Sequence, residues 1–155
     1  MKTYPKLFIT ALFTMILAFG CSEDKEEMPD PNFINATITV NNVGTSAYVF
    51  TAIEGTGASA SLNMENTALN LKIGSRYAIN NEAGRPHPFL IMGIGNTTLL
   101  AQNDVVGTFE SNPAVNFVAT DSTMIFTLTS EMATQIAPYM CGRHAAMTGN
   151  INAVD

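Results

Sequence analysis

Basic residues are scarce in this 155-residue chain: seven Lys and Arg stand against thirteen Asp and Glu, a formal net charge of −6. That balance excludes the basic patch or stripe on which nucleic-acid binding depends. No Gly-rich phosphate loop is present, so the common nucleotide-binding motifs are excluded as well. Neither an internal repeat nor a low-complexity tract stands out. The one long apolar run, Leu7 to Phe19, is too short and wrongly flanked for a membrane-spanning helix. Histidine and cysteine are rarest of the reactive residues, with two of each. Those four positions carry most of the functional information.

Lys2 and Lys6 form a basic n-region ahead of the apolar run, so residues 1–20 read as a signal peptide. The run ends in Leu17-Ala18-Phe19-Gly20-Cys21, which resembles a bacterial lipoprotein cleavage site. The resemblance implies that Cys21 is lipidated and becomes the mature N-terminus. An ordinary signal peptide, or a disulfide between Cys21 and Cys141, are the alternatives. Residues 21–33 hold the acids Glu23, Asp24, Glu26 and Glu27 with Pro29 and Pro31, and have almost nothing apolar to bury. They read as an acidic flexible tether. Ser22 followed by acids also resembles surface-export signals of outer-membrane lipoproteins. The expected location is therefore the bacterial cell envelope, lipid-anchored, in the periplasm or at the outer-membrane surface. Membrane contact would run through the lipid alone.

Residues 34–155 are enough for one domain with a real core and too few for two. Asn, Gly, Thr and Ser punctuate short apolar runs, many of them alternating. Strands are expected at Ala36 to Val40, Tyr48 to Ala52, Leu69 to Ile73, Tyr77 to Ile79 and Phe89 to Met92. More follow at Thr98 to Ala101, Met124 to Leu128, Tyr139 to Cys141 and Ile151 to Val154. Ser130 to Gln135 is the one plausible helical turn. About eight strands at this spacing predict an all-β fold, most economically a Greek-key β-sandwich or barrel.

Within the closing stretch PYMCGRHAAMTGNI, Cys141, His144 and Met147 follow Cys-x-x-His-x-x-Met spacing. His87, bracketed by Pro86 and Pro88, is the only other histidine. A thiolate, two imidazoles and a thioether are the ligand set that selects copper, with the thioether as a weak axial ligand. A lone thiol in an oxidising compartment is vulnerable unless it is buried or metal-bound. Zinc fits less well, because structural zinc sites use four Cys or His ligands and a thioether is a poor one. A Cys141 nucleophile would need an orienting third group and an oxyanion site, and no such motif is readable. The chain is not expected to be an enzyme. Phe89, Ile91, Met140 and Met147 are expected to form a dry shell; Arg85 and Arg143 beside the histidines read equally as a positive docking rim or as ordinary solvated arginines.

These segments resemble the cupredoxins, the type 1 blue-copper proteins. The two-residue gaps around His144, and Ile79-Asn80-Asn81-Glu82-Ala83-Gly84-Arg85-Pro86-His87 with one extra residue, resemble amicyanin. The His87-Pro88-Phe89 sequence, Ser46 to Phe50 and the closing His-x-x-Met-x-Gly-x-Ile resemble plastocyanin-like domains. The resemblance covers roughly residues 34 to 155. It implies one copper ion held by His87, Cys141, His144 and Met147, with Asn80 or Asn81 tying the two ligand loops together. It also implies one-electron transfer outside the cytoplasm, as a monomer, with cytochromes or copper enzymes as transient partners. A copper module for storage, sensing or delivery without redox turnover is the alternative. Two departures stand out: Gln135-Ile136-Ala137-Pro138 replaces the usual Gly-Thr-Tyr lead-in, and Arg143 occupies a position where the family commonly has Pro.

Overall fold

A computed structural model describes residues 30–102 and 105–155. The expected signal peptide, Cys21 and the tether up to residue 29 lie outside the described residues. Asp30 to Phe33, the described end of the expected tether, form a turn closed by the Phe33 N–H on the Asp30 carbonyl at 2.9 Å.

The domain is mostly β, built as two mixed sheets rather than a closed barrel. The five-stranded sheet has the order β2-β1-β5-β9-β8: Ala47–Gly55, Ala36–Val43, Arg76–Asn81, Thr123–Thr127 and Val118–Ala119. The six-stranded sheet has the order β3-β4-β11-β10-β6-β7: Ala58–Ala60, Leu69–Lys72, Thr148–Val154, Ile136–Cys141, Phe89–Gly93 and Thr97–Ala101. Pairing is antiparallel except for β1 with β5 and β11 with β4. Alternation drives the assembly. In β1, Ala36, Ile38 and Val40 are buried while their neighbours are not, as a strand with one face on the core requires. Both sheets feed one buried cluster, including Ile38, Phe50, Leu71, Ile79, Phe126 and Tyr139. Four aromatic rings form part of it. Phe89 stacks on Tyr139 at 5.3 Å, Phe50 meets Tyr139 edge-on at 5.3 Å, and Tyr48 lies 5.2 Å from Phe89. Each such pair contributes about 0.5–1.5 kcal/mol beyond area burial.

Several boundaries differ from the sequence-based expectation, each for a physical reason. β10 begins at Ile136 rather than Tyr139, and so runs through Pro138. A proline lacks the N–H for a ladder. The pairing of β10 with β6 shifts register between Ile136 and Tyr139, and this irregularity accommodates it. Leu128 lies past the end of β9 but stays buried, its N–H on the Ser75 carbonyl at 3.0 Å. The helical turn is shorter than expected, Ser130–Ala133, and is capped by the Thr129 hydroxyl on the Met132 N–H at 3.2 Å. β3 and β8 were not foreseen. They are three and two residues long, too short for a periodic signal.

What positions the candidate site is register. Cys141 at the end of β10 pairs with Phe89 at the start of β6, and Met140 pairs with Thr148 at the start of β11. The loops 82–88 and 142–147 therefore leave the same edge side by side. Gly149, on β11 beside Tyr139, is needed for this approach, because a methyl there would overlap the Tyr139 hydroxyl and crowd the Asn66 carbonyl at 2.7 Å. Gly149→Ala is expected to cost about 1–3 kcal/mol through overpacking. The measurement is urea unfolding: a lower midpoint at unchanged slope, whereas an unchanged midpoint would contradict the packing argument.

Candidate metal centre

Cys141 is 1% exposed and closes β10. Its N–H donates to the Met147 carbonyl at 2.9 Å, and the Met147 N–H donates to the His144 carbonyl at 3.1 Å. The loop therefore folds back on itself and returns Met147 beside Cys141. The neighbouring Gly142 N–H donates to the Pro88 carbonyl at 2.9 Å, joining this loop to the one that carries His87. The backbone between Pro86 and Pro88 is restricted on both sides.

His87 is held from behind. Its carbonyl accepts the Tyr48 hydroxyl at 2.6 Å and the Asn81 amide at 2.8 Å, so both lone pairs are used. The same Asn81 Nδ2 reaches Gln102 Oε1 at 2.9 Å, and Asn81 Oδ1 accepts the Ala83 N–H at 3.1 Å. Gln102 Oε1 in turn accepts the Phe89 N–H at 3.0 Å. Of the two asparagines considered, Asn81 is the buried one, at 2% exposed. Asn80 precedes it on β5 and is half-buried. Asn81 clamps its own loop to Gln102, just past the end of β7, rather than tying the two ligand loops together. The Gly142 N–H to Pro88 carbonyl bond makes that tie.

The four candidate ligand side chains meet at one place. Cys141 Sγ lies 3.6 Å from His144 Nδ1 and 4.0 Å from His87 Nδ1, and His87 Nδ1 lies 3.1 Å from Met147 Sδ. The candidate ligand atoms of His87, Cys141 and His144 all lie within 4.8 Å of one another. An ion bonded to nitrogen at about 2.0 Å and to sulfur at about 2.3 Å, with ligands near-tetrahedral to trigonal, would separate a nitrogen from a sulfur by about 3.5–3.7 Å. The donors present fit a metal ion of that size. Among the described residues no carboxylate joins the group. Met147 is fully buried, His87 is 9% exposed and His144 is half-buried, so only the second imidazole offers an edge to solvent. The two rings lie 4.7 Å apart at 36°.

Electrostatics hold the site ready for a cation. Burial, then the neighbouring His144 and Arg143, push the His87 pKa below the usual histidine range, leaving a neutral imidazole at neutral pH. Burial, then the adjacent Cys141, raises the Tyr48 phenol, which stays a neutral donor to the His87 carbonyl. The Arg143 N–H points at Cys141 Sγ at 3.4 Å, a bond that proline in its place would remove. Two expectations need correction. Met140 is not part of the shell: it packs with Leu90, Met92 and Ala101 in a separate cluster, because alternation along β10 turns it away from Cys141 and Tyr139. Arg85 is not a free rim charge, since its Nε lies 3.4 Å from Asp121 Oδ1 on the exposed surface. Tyr48 and Gln102 were not foreseen as site residues. An aromatic in an alternating strand reads as core, and Gln102 carries no signal at all. Asn42, also unforeseen, places Nδ2 3.4 Å from His87 Nε2 and screens that ring's outer edge.

No known family model matches the sequence, and no curated protein is significantly similar to it. The functional reading therefore rests on the residues and their geometry.

Two outcomes follow. Asn81→Ala leaves a buried carbonyl and the Gln102 amide oxygen each short of a donor, and is expected to lose about 1–3 kcal/mol. Chemical denaturation of the metal-free variant measures the loss. For pH, the folded state resists protonation of His87 while the unfolded chain takes up a proton near pH 6.5. Metal-free stability should accordingly fall as pH drops below 6.5 and down through the lowered pKa. His87→Gln should flatten this dependence in denaturant titrations across that range, and an unchanged profile would reject the assignment.

Proposed function

We propose that this chain is a cupredoxin-type mononuclear copper protein that carries single electrons outside the cytoplasm. The observation behind it is the gathering of a thiol, two imidazoles and a thioether on two hydrogen-bonded loops, with no carboxylate joining them among the described residues. Soft and borderline donors in that ratio favour copper over zinc, magnesium or calcium. Bound copper would supply a one-electron couple. The protein's own groups do the rest. Cys141 provides a thiolate whose charge is moderated by the Arg143 N–H. His87 and His144 provide imidazoles, and buried Met147 closes the remaining side against water. The clamp on the His87 carbonyl and the backbone tie between the loops hold the donors still, which keeps rearrangement small when charge changes. The half-buried edge of His144 is the exit toward a partner.

The two sheets are read as the Greek-key sandwich of that family. The acidic segment before Asp30 is read as a tether from a lipid on Cys21, placing the domain in a bacterial envelope. Among the described residues no helix is long and apolar enough to cross a membrane. Redox partners would be cytochromes or copper enzymes, met through small, transient contacts.

Adding Cu(II) to the purified protein should produce an intense visible thiolate-to-copper charge-transfer band, and Cys141→Ser should abolish it. A colourless protein with a fully titratable thiol would reject the proposal. Arg143→Pro removes the N–H to sulfur, making the thiolate a stronger donor to the oxidised ion. Its reduction potential by voltammetry should fall relative to the parent.

A further inference from the structure

At the pole away from the ligand loops, β5 begins with Arg76, which is only 6% exposed. The far end of β5, Asn81, is five residues on, about 17 Å at strand rise. What happens at Arg76 is therefore separate from the metal reading. Its Nη1 is saturated, donating to the carbonyls of Val115 and Asn116 at 3.4 and 2.8 Å and to the Thr127 hydroxyl at 3.3 Å. Its Nε is buried and has no partner. Among the described residues the ion pair is Arg85 with Asp121, and none of their carboxylates neutralises Arg76. A buried charge is costly unless it is paired. Burial indeed lowers the Arg76 pKa, although a guanidinium stays charged. Holding the Val115–Asn116 loop explains Nη1 and leaves the other side of the guanidinium unexplained. The Nε–Nη2 edge is the fork that accepts a carboxylate or phosphate through two parallel bonds, and the buried Nε joins such a bond only once the atoms covering it give way.

That residue lines a cleft of about 410 Å³, within the range of small-molecule sites. Pro31, Phe33, Pro113 and Ala114 form its apolar walls, with Asn35 and Asn116 as polar neighbours. Phe33 is 64% exposed, a large ring left uncovered beside a desolvated cation. Asp30 lies on the same wall, but its Oδ1 accepts the Asn32 N–H at 2.9 Å and forms no ion pair with Arg76. We propose that this cleft binds a small organic oxyanion, a carboxylate or phosphate on a short apolar body. Arg76 receives the head group, and Pro31, Phe33 and Pro113 cover the body.

The test follows the Arg76 Nε–H and the amides of residues 31–35 and 114–116 by ¹⁵N-resolved NMR of the purified protein. Hexanoate, butyl phosphate and inorganic phosphate are titrated separately. Hexanoate or butyl phosphate should saturate the shifts with a Kd at or below about 1 mM, and inorganic phosphate should bind about tenfold more weakly. The tighter of the two organic probes identifies the head group. Arg76→Met removes the receptor but also the loop contacts, so Ala114→Glu is the second variant. Ala114 is exposed, and a glutamate there supplies a competing carboxylate while the fold is kept. Both variants should lose saturable binding, with the charge-transfer band at the metal centre unchanged in Ala114→Glu. The proposal is overturned if neither organic probe saturates, if inorganic phosphate binds as tightly, or if binding survives both variants. Binding that appears only in Asp30→Asn would assign the free edge to Asp30 and overturn it equally.

Discussion

The pairing of β10 with β6 is the constraint on which the rest depends. It sets Cys141 opposite Phe89, so the thiol emerges two residues from His87 on the adjoining strand. One further bond, from the Gly142 N–H to the Pro88 carbonyl, extends the ladder beyond the formal strands. Loops normally carry the mobility of a β domain. Here the two ligand loops are stitched to each other before any metal is considered, and the side-chain distances are consequences of backbone register.

Behind that ladder stands a buried polar network in which one donor, Gln102 Nε2, is left without a partner. The His87 carbonyl has both lone pairs occupied, and Asn81 uses both ends of its amide. In a low-dielectric interior such groups are strongly favourable when satisfied and costly when not. Positions that deviate would lose several bonds together, so the network selects one loop conformation sharply. Tyr48 links it to the aromatic cluster below, making the hydrophobic core and the polar clamp parts of one support.

The candidate ligands were legible in the sequence because ligand chemistry is a matter of residue type and spacing. Cys141, His144 and Met147 announce themselves as a loop, and His87 is the only remaining partner of its kind. Their support was much less legible. Asn80 and Asn81 are adjacent, and a shift of one residue along a strand exchanges inside for outside. Without register the choice between them was open, and the same ambiguity misplaced Met140. The start of the strand before Cys141 was blurred by Gln135 to Pro138, and a register shift lets it begin at Ile136. Tyr48 and Gln102 act through partners distant in sequence, which only tertiary pairing brings near. The strands themselves were legible where alternation ran four residues or more, and not in β3 or β8.

Cys141 illustrates why these layers belong together. The reactivity of a thiol toward oxidants depends on access as much as on thiolate character. At 1% exposure, with Met147 fully buried beside it and His144 over the remaining approach, its access is closed by the same side chains that would share a metal with it. Burying the thiol and the imidazoles costs them water, and most of the contacts they gain in return are long, 3.4–4.0 Å. The hydrogen-bonded frame offsets that cost. Donors held in one place by a hydrogen-bonded frame are what tight cation binding with little rearrangement demands, because the ordering entropy is then spent in folding and not at the moment of binding.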